Sequence, residues 1–189
     1  MVTIDFDTRE VAALSNKLAL FGAAVRAKAT GRGLAKVAKQ GATAAKQGIT
    51  KEYNVKSAEV AKRMSIGIKR GGMQVEIKAR ARSGRSNRIP LINFGAKGSK
   101  KQGVTVTVSK SKGKQRLRHA FVLTMPNGHT GVFARVPGQR KIKELSGIDV
   151  THMMVGKRVL PGVLSKIKDN MTRVVAHELR YELSRLGFK

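Results

Sequence analysis

From Pro161 onward the chain places Leu164, Ile167, Met171, Val175, Leu179, Leu183 and Leu186 at steps of three and four. On a helix of 3.6 residues per turn these positions form one apolar stripe. Such a stripe must be buried against another element, so it commits the C-terminal part to a packed domain. The helix it predicts runs about 25 residues, or nearly 40 Å at about 1.5 Å per residue. Pro161 suits its first turn and Gly187 its C-cap. Asp169 and Arg173 are spaced to pair on its outer side.

The N-terminal part has a second helical stripe. Asp7 and Glu10 make a capping-box-like start. Val11, Leu14, Leu18, Phe21 and Val25 follow at helical spacing, and the stripe continues through Leu34, Val37, Ala38, Gly41, Ala45, Gly48 and Ile49. Glycine costs a helix interior about 1 kcal/mol, so the pattern predicts a weak helix kinked near Gly22 or between Gly31 and Gly33. Close helix–helix contact through the small residues is the competing reading. Asn54 breaks the pattern, and Ser57 is placed to cap a short helix over Ala58 to Arg63.

After Gly71-Gly72 the period changes from 3.6 to 2. Met73, Val75, Ile77 and Ala79 alternate with polar residues as in a half-buried strand. "ARARSGRSNR" is a basic loop, and "IPLINFG" an apolar piece whose Pro90 argues for an edge or a strand entry. Val104 to Val108, Ala120 to Met125 and Val132 to Val136 are further strands. The last two flank "PNGH", where Asn127-Gly128 suits a hairpin turn. Helices, then a strand meander, then a helix predict an α+β fold: N-terminal helices and a long C-terminal helix packed on a mainly antiparallel β-sheet. With 189 residues, one domain is expected. Its parts are a helical region 1–70, a β-meander with a basic hairpin at 71–137, a connecting loop at 138–160 and the helix at 161–187. Aromatics are only 4% and Trp is absent, so the core is built from aliphatic side chains.

The chain offers little that could act as a catalyst. His119, His129, His152 and His177 lack metal-ligand spacing with one another or with a carboxylate. His177-Glu178 reads as a surface pair. The eleven acids are scattered, with no close pair for general acid–base work. The glycines match neither a dinucleotide-binding nor a P-loop pattern. No catalytic residue, cofactor or metal is expected. Cysteine is absent, which excludes disulfides and thiolate metal sites. No apolar run approaches the roughly 18 residues of a membrane span. "MVTIDFDTRE" has no signal-peptide core. A protein made in a cytoplasm, without a membrane segment, is expected.

The formal net charge of +28 is the dominant compositional fact. Such a surplus repels itself in a compact state and calls for an anionic partner. Between Lys62 and Arg118 there are seventeen Lys or Arg and one acid, Glu76. At the centre of this tract, "KGSKKQGVTVTVSKSKGKQRLRH" carries eight cations and no acid around five alternating residues, Val104 to Val108. That pattern predicts a hairpin anchored by its valines, with projecting basic tips. Phe94 is the tract's only aromatic, so base stacking is not expected. Sequence-independent phosphate contact is compatible with it.

Four pieces of the chain together resemble the prophage minor tail protein Z family, the tail completion proteins of long-tailed bacteriophages. They are "AVRAKATGRGLAKVAKQGATAAKQGITKEYNVKSAEVAKRMSI", "IPLINFGAK", "GVTVTVSKSKGKQRLRHAFVLTMPNGHTGVFARV" and "KIKELSGIDVTHMM". Their order and spacing carry the resemblance over nearly the whole chain. It implies a non-enzymatic virion protein that joins the head-proximal end of the tail late in assembly and is in the host cytoplasm during assembly. That protein makes the tail competent to join the head and holds the genome end. The implied partners are further copies in a hexameric ring, tail terminator and tail tube proteins, head–tail connector proteins and phage DNA. A ribosomal-type protein binding nucleic acid without sequence preference is the alternative.

A charge estimate limits what DNA alone can neutralise. A compact chain of this length is about 40 Å across. DNA with one charge per about 1.7 Å presents about 24 phosphates over that height. Six copies at +28 carry 168 positive charges, so lumenal DNA could match only about four per subunit. Two basic surfaces are therefore expected. Lys110, Lys112, Lys114, Arg116 and Arg118 are assigned to the channel and nucleic acid. Arg82, Arg85, Arg88, Lys100 and Lys101 are assigned to protein partners.

Overall fold

The computed structural model describes residues 23–68, 75–79, 88–99 and 103–185. The capping box at Asp7 and Glu10, the stripe from Val11 to Phe21, Met73, and Leu186 with Gly187 lie outside them. The described elements, in order, are α1 (Ala23–Glu52), α2 (Ser57–Ala61), β1 (Met64–Ile68), β2 (Val75–Ala79), β3 (Arg88–Pro90), a 3-10 turn (Leu91–Phe94), β4 (Lys97–Ser99), β5 (Gly103–Val106), β6 (Gln115–Leu117), β7 (Ala120–Thr124), β8 (Thr130–Arg135), β9 (Ile142–Glu144), β10 (Ser146–Asp149), α3 (Val150–Val155) and α4 (Leu160–Arg185). The fold is α+β, and every described strand register is antiparallel. The strands are divided among four sheets of two or three strands each. Two compact units are formed, one of Met1–Ala45, Ser65–Lys78 and Leu160–Lys189, the other of Lys46–Met64 and Ala79–Val159.

The first unit pairs α1, up to Ala45, with α4. Leu34, Val37, Ala38 and Ala45 from one helix and Ile167, Met171, Val175 and Leu179 from the other are buried. The α4 stripe follows the sequence periodicity except at its two ends. At the start Val163 is buried while Leu164 is 40% exposed; near the C-terminal end Glu182 is buried and Leu183 only half-buried. The helix α1 is unbroken from Ala23 to Glu52, which corrects the expected kink at Gly31 to Gly33. A Cβ on Gly33 would lie 2.9 Å from Val175 Cγ2 and 3.1 Å from Val175 Cα. The competing reading, close contact through small residues, therefore holds at Gly33, whereas a Cβ on Gly31 would meet nothing within 4 Å. The two-stranded sheet β1–β2 also belongs mainly to this unit.

Glu178 and Glu182 lie on the buried side of α4. Lys36 donates to Glu178 Oε1 at 2.5 Å, and Arg32 donates to Glu182 Oε1. Residue numbers rise on one helix as they fall on the other, so the pairs form an antiparallel ladder. The Lys36 hydrogen bond holds the Glu178 carboxyl below its ordinary value, against the opposing effect of burial. His177-Glu178 is thus not a surface pair: His177 is exposed, but its neighbour is nearly fully buried. Nor do Asp169 and Arg173 pair. Asp169 accepts from Ser165, and Arg173 donates to Asn170.

The second unit is built on the apolar side chains of Ile49, Val60, Ile89, Phe94, Val104, Val132 and Met153, all fully buried. Three sheets meet this core: β10–β3, β4–β5–β6 and β7–β8–β9. The turn between β7 and β8 follows the Asn-Gly signal. Gly128 has φ +80°, Asn127 Oδ1 accepts from His129 N, and Met125 N donates to His129 O. The short helix α2 begins at Ser57 itself, with Lys56 at the N-cap and no side-chain cap. Ser57 is therefore inside the helix rather than capping it. The stretch 138–160, expected as a connecting loop, contains β9, β10 and α3. Asp149 caps α3 by accepting from His152 N at 2.7 Å.

Candidate functional site

The hairpin anticipated at Lys97 to His119 is a three-stranded sheet. In it β5 pairs with β4 on one side and with β6 on the other. Alternation along β5 buries Val104 and Val106 and turns Thr105 to the opposite face. Thr105 faces Lys97 across one ladder and Arg116 across the other. Residues directly opposite in an antiparallel ladder share a face, so Lys97, Thr105 and Arg116 form an outer row. With strands about 4.8 Å apart, it spans about 10 Å.

The chain between β5 and β6 does not hang free; it closes over the end of α1. Ser109 makes a bridge with Tyr53, and Asn54 N donates to Val108 O at 3.0 Å. Lys110 N donates to Glu52 O and Lys110 Nζ to Thr50 O. The last turn of a helix has unpaired carbonyls and a negative dipole end, and Lys110 meets both requirements. Ser109 Oγ, Ser111 Oγ and Arg158 Nη1 all donate to Glu52 Oε1, at 3.4, 3.1 and 2.9 Å. One glutamate thus ties together segments that lie 57 to 106 residues apart.

Beside this knot is a cavity of about 540 Å³, lined among others by Tyr53, Val108, Lys112, Ile148 and Arg158. Burial, helped by the Glu52 carboxylate, raises the Tyr53 phenol above its ordinary value. The wall is mixed: Val108 and the 40%-exposed Ile148 are apolar, while Lys112 and Arg158 are cationic.

Acids elsewhere in the described residues are largely engaged within the chain. Glu59 binds Lys62 at 2.7 Å and Arg63 at 2.9 Å, and the Lys62 hydrogen bond is the main cause of its lowered pKa. Glu144 takes His129, Asp149 takes His152, and Glu52 takes Arg158. Arg32, Lys36, Lys62, Arg63, Arg158 and Arg185 are in ion pairs. With 39 Lys and Arg against eleven Asp and Glu, the chain's own acids cannot neutralise its basic charge.

Of the residues assigned from sequence to nucleic acid, Lys112, Lys114, Arg116 and Arg118 are exposed and belong to this one sheet and its loops. Lys110 is exposed too, but one of its three N–H groups is committed to Thr50. Of the residues assigned to protein partners, Arg88 is exposed on β3, and Arg82, Arg85, Lys100 and Lys101 lie outside the described residues. A second basic cluster was missed because it falls beyond Arg118. Around the β8–β9 turn, Arg135, Arg140, Lys141 and Lys143 are all exposed. "RVPGQRKIK" carries the signal, four cations in nine residues without an acid. The Glu52 knot had no local signal at all.

A family model described as prophage minor tail protein Z (GPZ) matches residues 13–186. No curated protein and no solved structure matches the chain.

Proposed function

Since the chain belongs to the prophage minor tail protein Z family and is thereby a structural protein of a phage tail, we propose that it completes the head-proximal end of the tail for head joining, as a hexameric ring in contact with the genome end. The observation that carries this reading is the basic surface itself. Lys112, Lys114, Arg116 and Arg118 project from a sheet fixed by buried valines, in a tract whose only aromatic, Phe94, is fully buried. That arrangement suits phosphates and not bases.

The charge estimate divides the work. Genomic DNA in a lumen would occupy about four cations per subunit, fewer than the six exposed on this sheet and its loops, Lys97, Lys110, Lys112, Lys114, Arg116 and Arg118. The remaining surplus, including Arg88 and the Arg135 to Lys143 cluster, would meet acidic faces of tail terminator, tail tube or connector proteins. There complementary charge steers docking and fixes register more than it adds affinity. The protein acts by shape and charge, with no catalytic residue, cofactor or membrane in this reading. No helix among the described residues is long and apolar enough to cross a membrane.

Immunogold labelling of purified tails tests the position. Label at the head-proximal end is expected, and label elsewhere would sink the reading. The salt dependence of duplex binding tests the genome contact. A slope of log K against log salt near −3 to −4 per subunit is expected for about four phosphates, and a slope near zero would remove DNA from the proposal.

A further inference from the structure

Copies of a chain at +28 must repel one another, so self-association needs a negative element that one copy can offer to the next. The acids whose side chains the structure describes are poor candidates. Glu52, Glu59, Glu144, Asp149, Glu178 and Glu182 are each paired with a basic group of their own chain, and Asp169 takes a hydroxyl. The densest acidic stretch in the sequence is its first ten residues, "MVTIDFDTRE", with Asp5, Asp7 and Glu10. Ile4 and Phe6 alternate with the two aspartates there, so the stretch offers both charge and apolar surface.

The cavity beside the Glu52 knot has the complementary features. Lys112 supplies positive charge, Arg158 is already paired with the Glu52 carboxylate that also lines the cavity, and Val108 with the exposed Ile148 supplies an apolar wall. Its volume of about 540 Å³ is within the usual range of small-ligand sites. We propose that the N-terminal segment Ile4-Asp5-Phe6-Asp7 of one copy docks in this cavity of a second copy. The aspartates would face Lys112, and the apolar side chains would face Ile148 and Val108. The contact is head-to-tail, so repetition closes into a ring or runs on as a filament. The inference rests on the self-associating part of the proposed function and supplies its adhesive contact.

Two measurements on the full-length protein test it. The first is binding of a labelled peptide of residues 1–12. Lys112→Glu and, separately, Ile148→Asp should each weaken it about tenfold or more. A scrambled peptide of the same composition should bind at least as poorly. The Asp5→Lys/Asp7→Lys peptide should fail on the wild type and recover on Lys112→Glu. Equal binding of the scrambled peptide, or no effect of either cavity variant, overturns the proposal. If Lys112→Glu spares the peptide and removes duplex DNA binding instead, the cavity edge belongs to nucleic acid and the proposal falls. The second is sedimentation velocity. Asp5→Lys/Asp7→Lys and Lys112→Glu should each shift the chain toward monomer, and combining them should restore association. Association that survives both variants overturns the docking and leaves the ring standing. Label away from the head-proximal tail end would instead overturn the tail-completion reading and leave the docking intact.

Discussion

The α1–α4 helix pair and the β4–β6 hairpin use charge in opposite ways. On the helix pair, Glu178 and Glu182 are buried and each is met by a cation from the facing helix. On the hairpin, the buried face is Val104 and Val106, and the cations are exposed. A buried carboxylate is costly unless paired, so the helix charges are bound to stability. Exposed cations cost little and leave their field outside the fold. Removing charge from the first region should therefore affect folding, and removing it from the second should affect binding.

The largest effect expected concerns what lies beneath the hairpin's unit. Phe94 is fully buried there. Phe94→Ala should cost about 3–5 kcal/mol by denaturant unfolding, whereas no cation substitution on the hairpin should approach that. Next is Glu178→Ala, which breaks one rung of the helix ladder and should cost about 1–3 kcal/mol. The same rung has a pH signature. Because the folded-state pKa of Glu178 is lowered, its contribution is fully present above the unfolded carboxylate value of about 4.3. It is lost as pH falls through the folded value. Wild type should therefore lose more stability than Glu178→Gln on acidification below about pH 4.3, and parallel curves would break the assignment.

Smaller again, and opposite in sign, are two glycine substitutions on α1. Gly31→Ala meets nothing within 4 Å and should gain about 1 kcal/mol from helix propensity. Gly33→Ala gains the same but crowds Val175, with overpacking costs of about 1–3 kcal/mol. A net loss near 1 kcal/mol is expected, measured by thermal unfolding of the pair. Least of all in stability is Lys112→Ala/Lys114→Ala, expected within about 0.5 kcal/mol of wild type. The same double variant should flatten the salt slope of DNA binding. A large stability loss there would erase the contrast between the two regions.

These regions also differ in how far they could be read from sequence. The α4 stripe and the β5 alternation are local periodicities, and both were legible. What Gly33 does depends on Val175, 142 positions away, so helix propensity alone suggested a kink where the chain in fact packs closely. The strands and helix within 138–160 were invisible for another reason. Strands β9 and β10 are three and four residues long, too short to display a period. The exposed cations were legible as composition. Their anchorage was not, because Glu52, Ser109 and Arg158 come together only in the folded chain.

The closure of the β5–β6 loop over the end of α1 has a thermodynamic consequence for any partner. A basic loop that wandered in solution would lose conformational freedom on binding, roughly 0.5–1.5 kcal/mol for each long side chain and more for backbone. Here the backbone of residues 108–110 is already fixed by bonds to Tyr53, Asn54 and Glu52, and the side chains of Lys110 and Ser111 are tied to Thr50 and Glu52. That entropy is lost during folding rather than on contact. Lys112 and Lys114, just beyond the tether, are thus presented from a preorganised frame, and association with an anionic surface should carry a small entropic penalty for its charge.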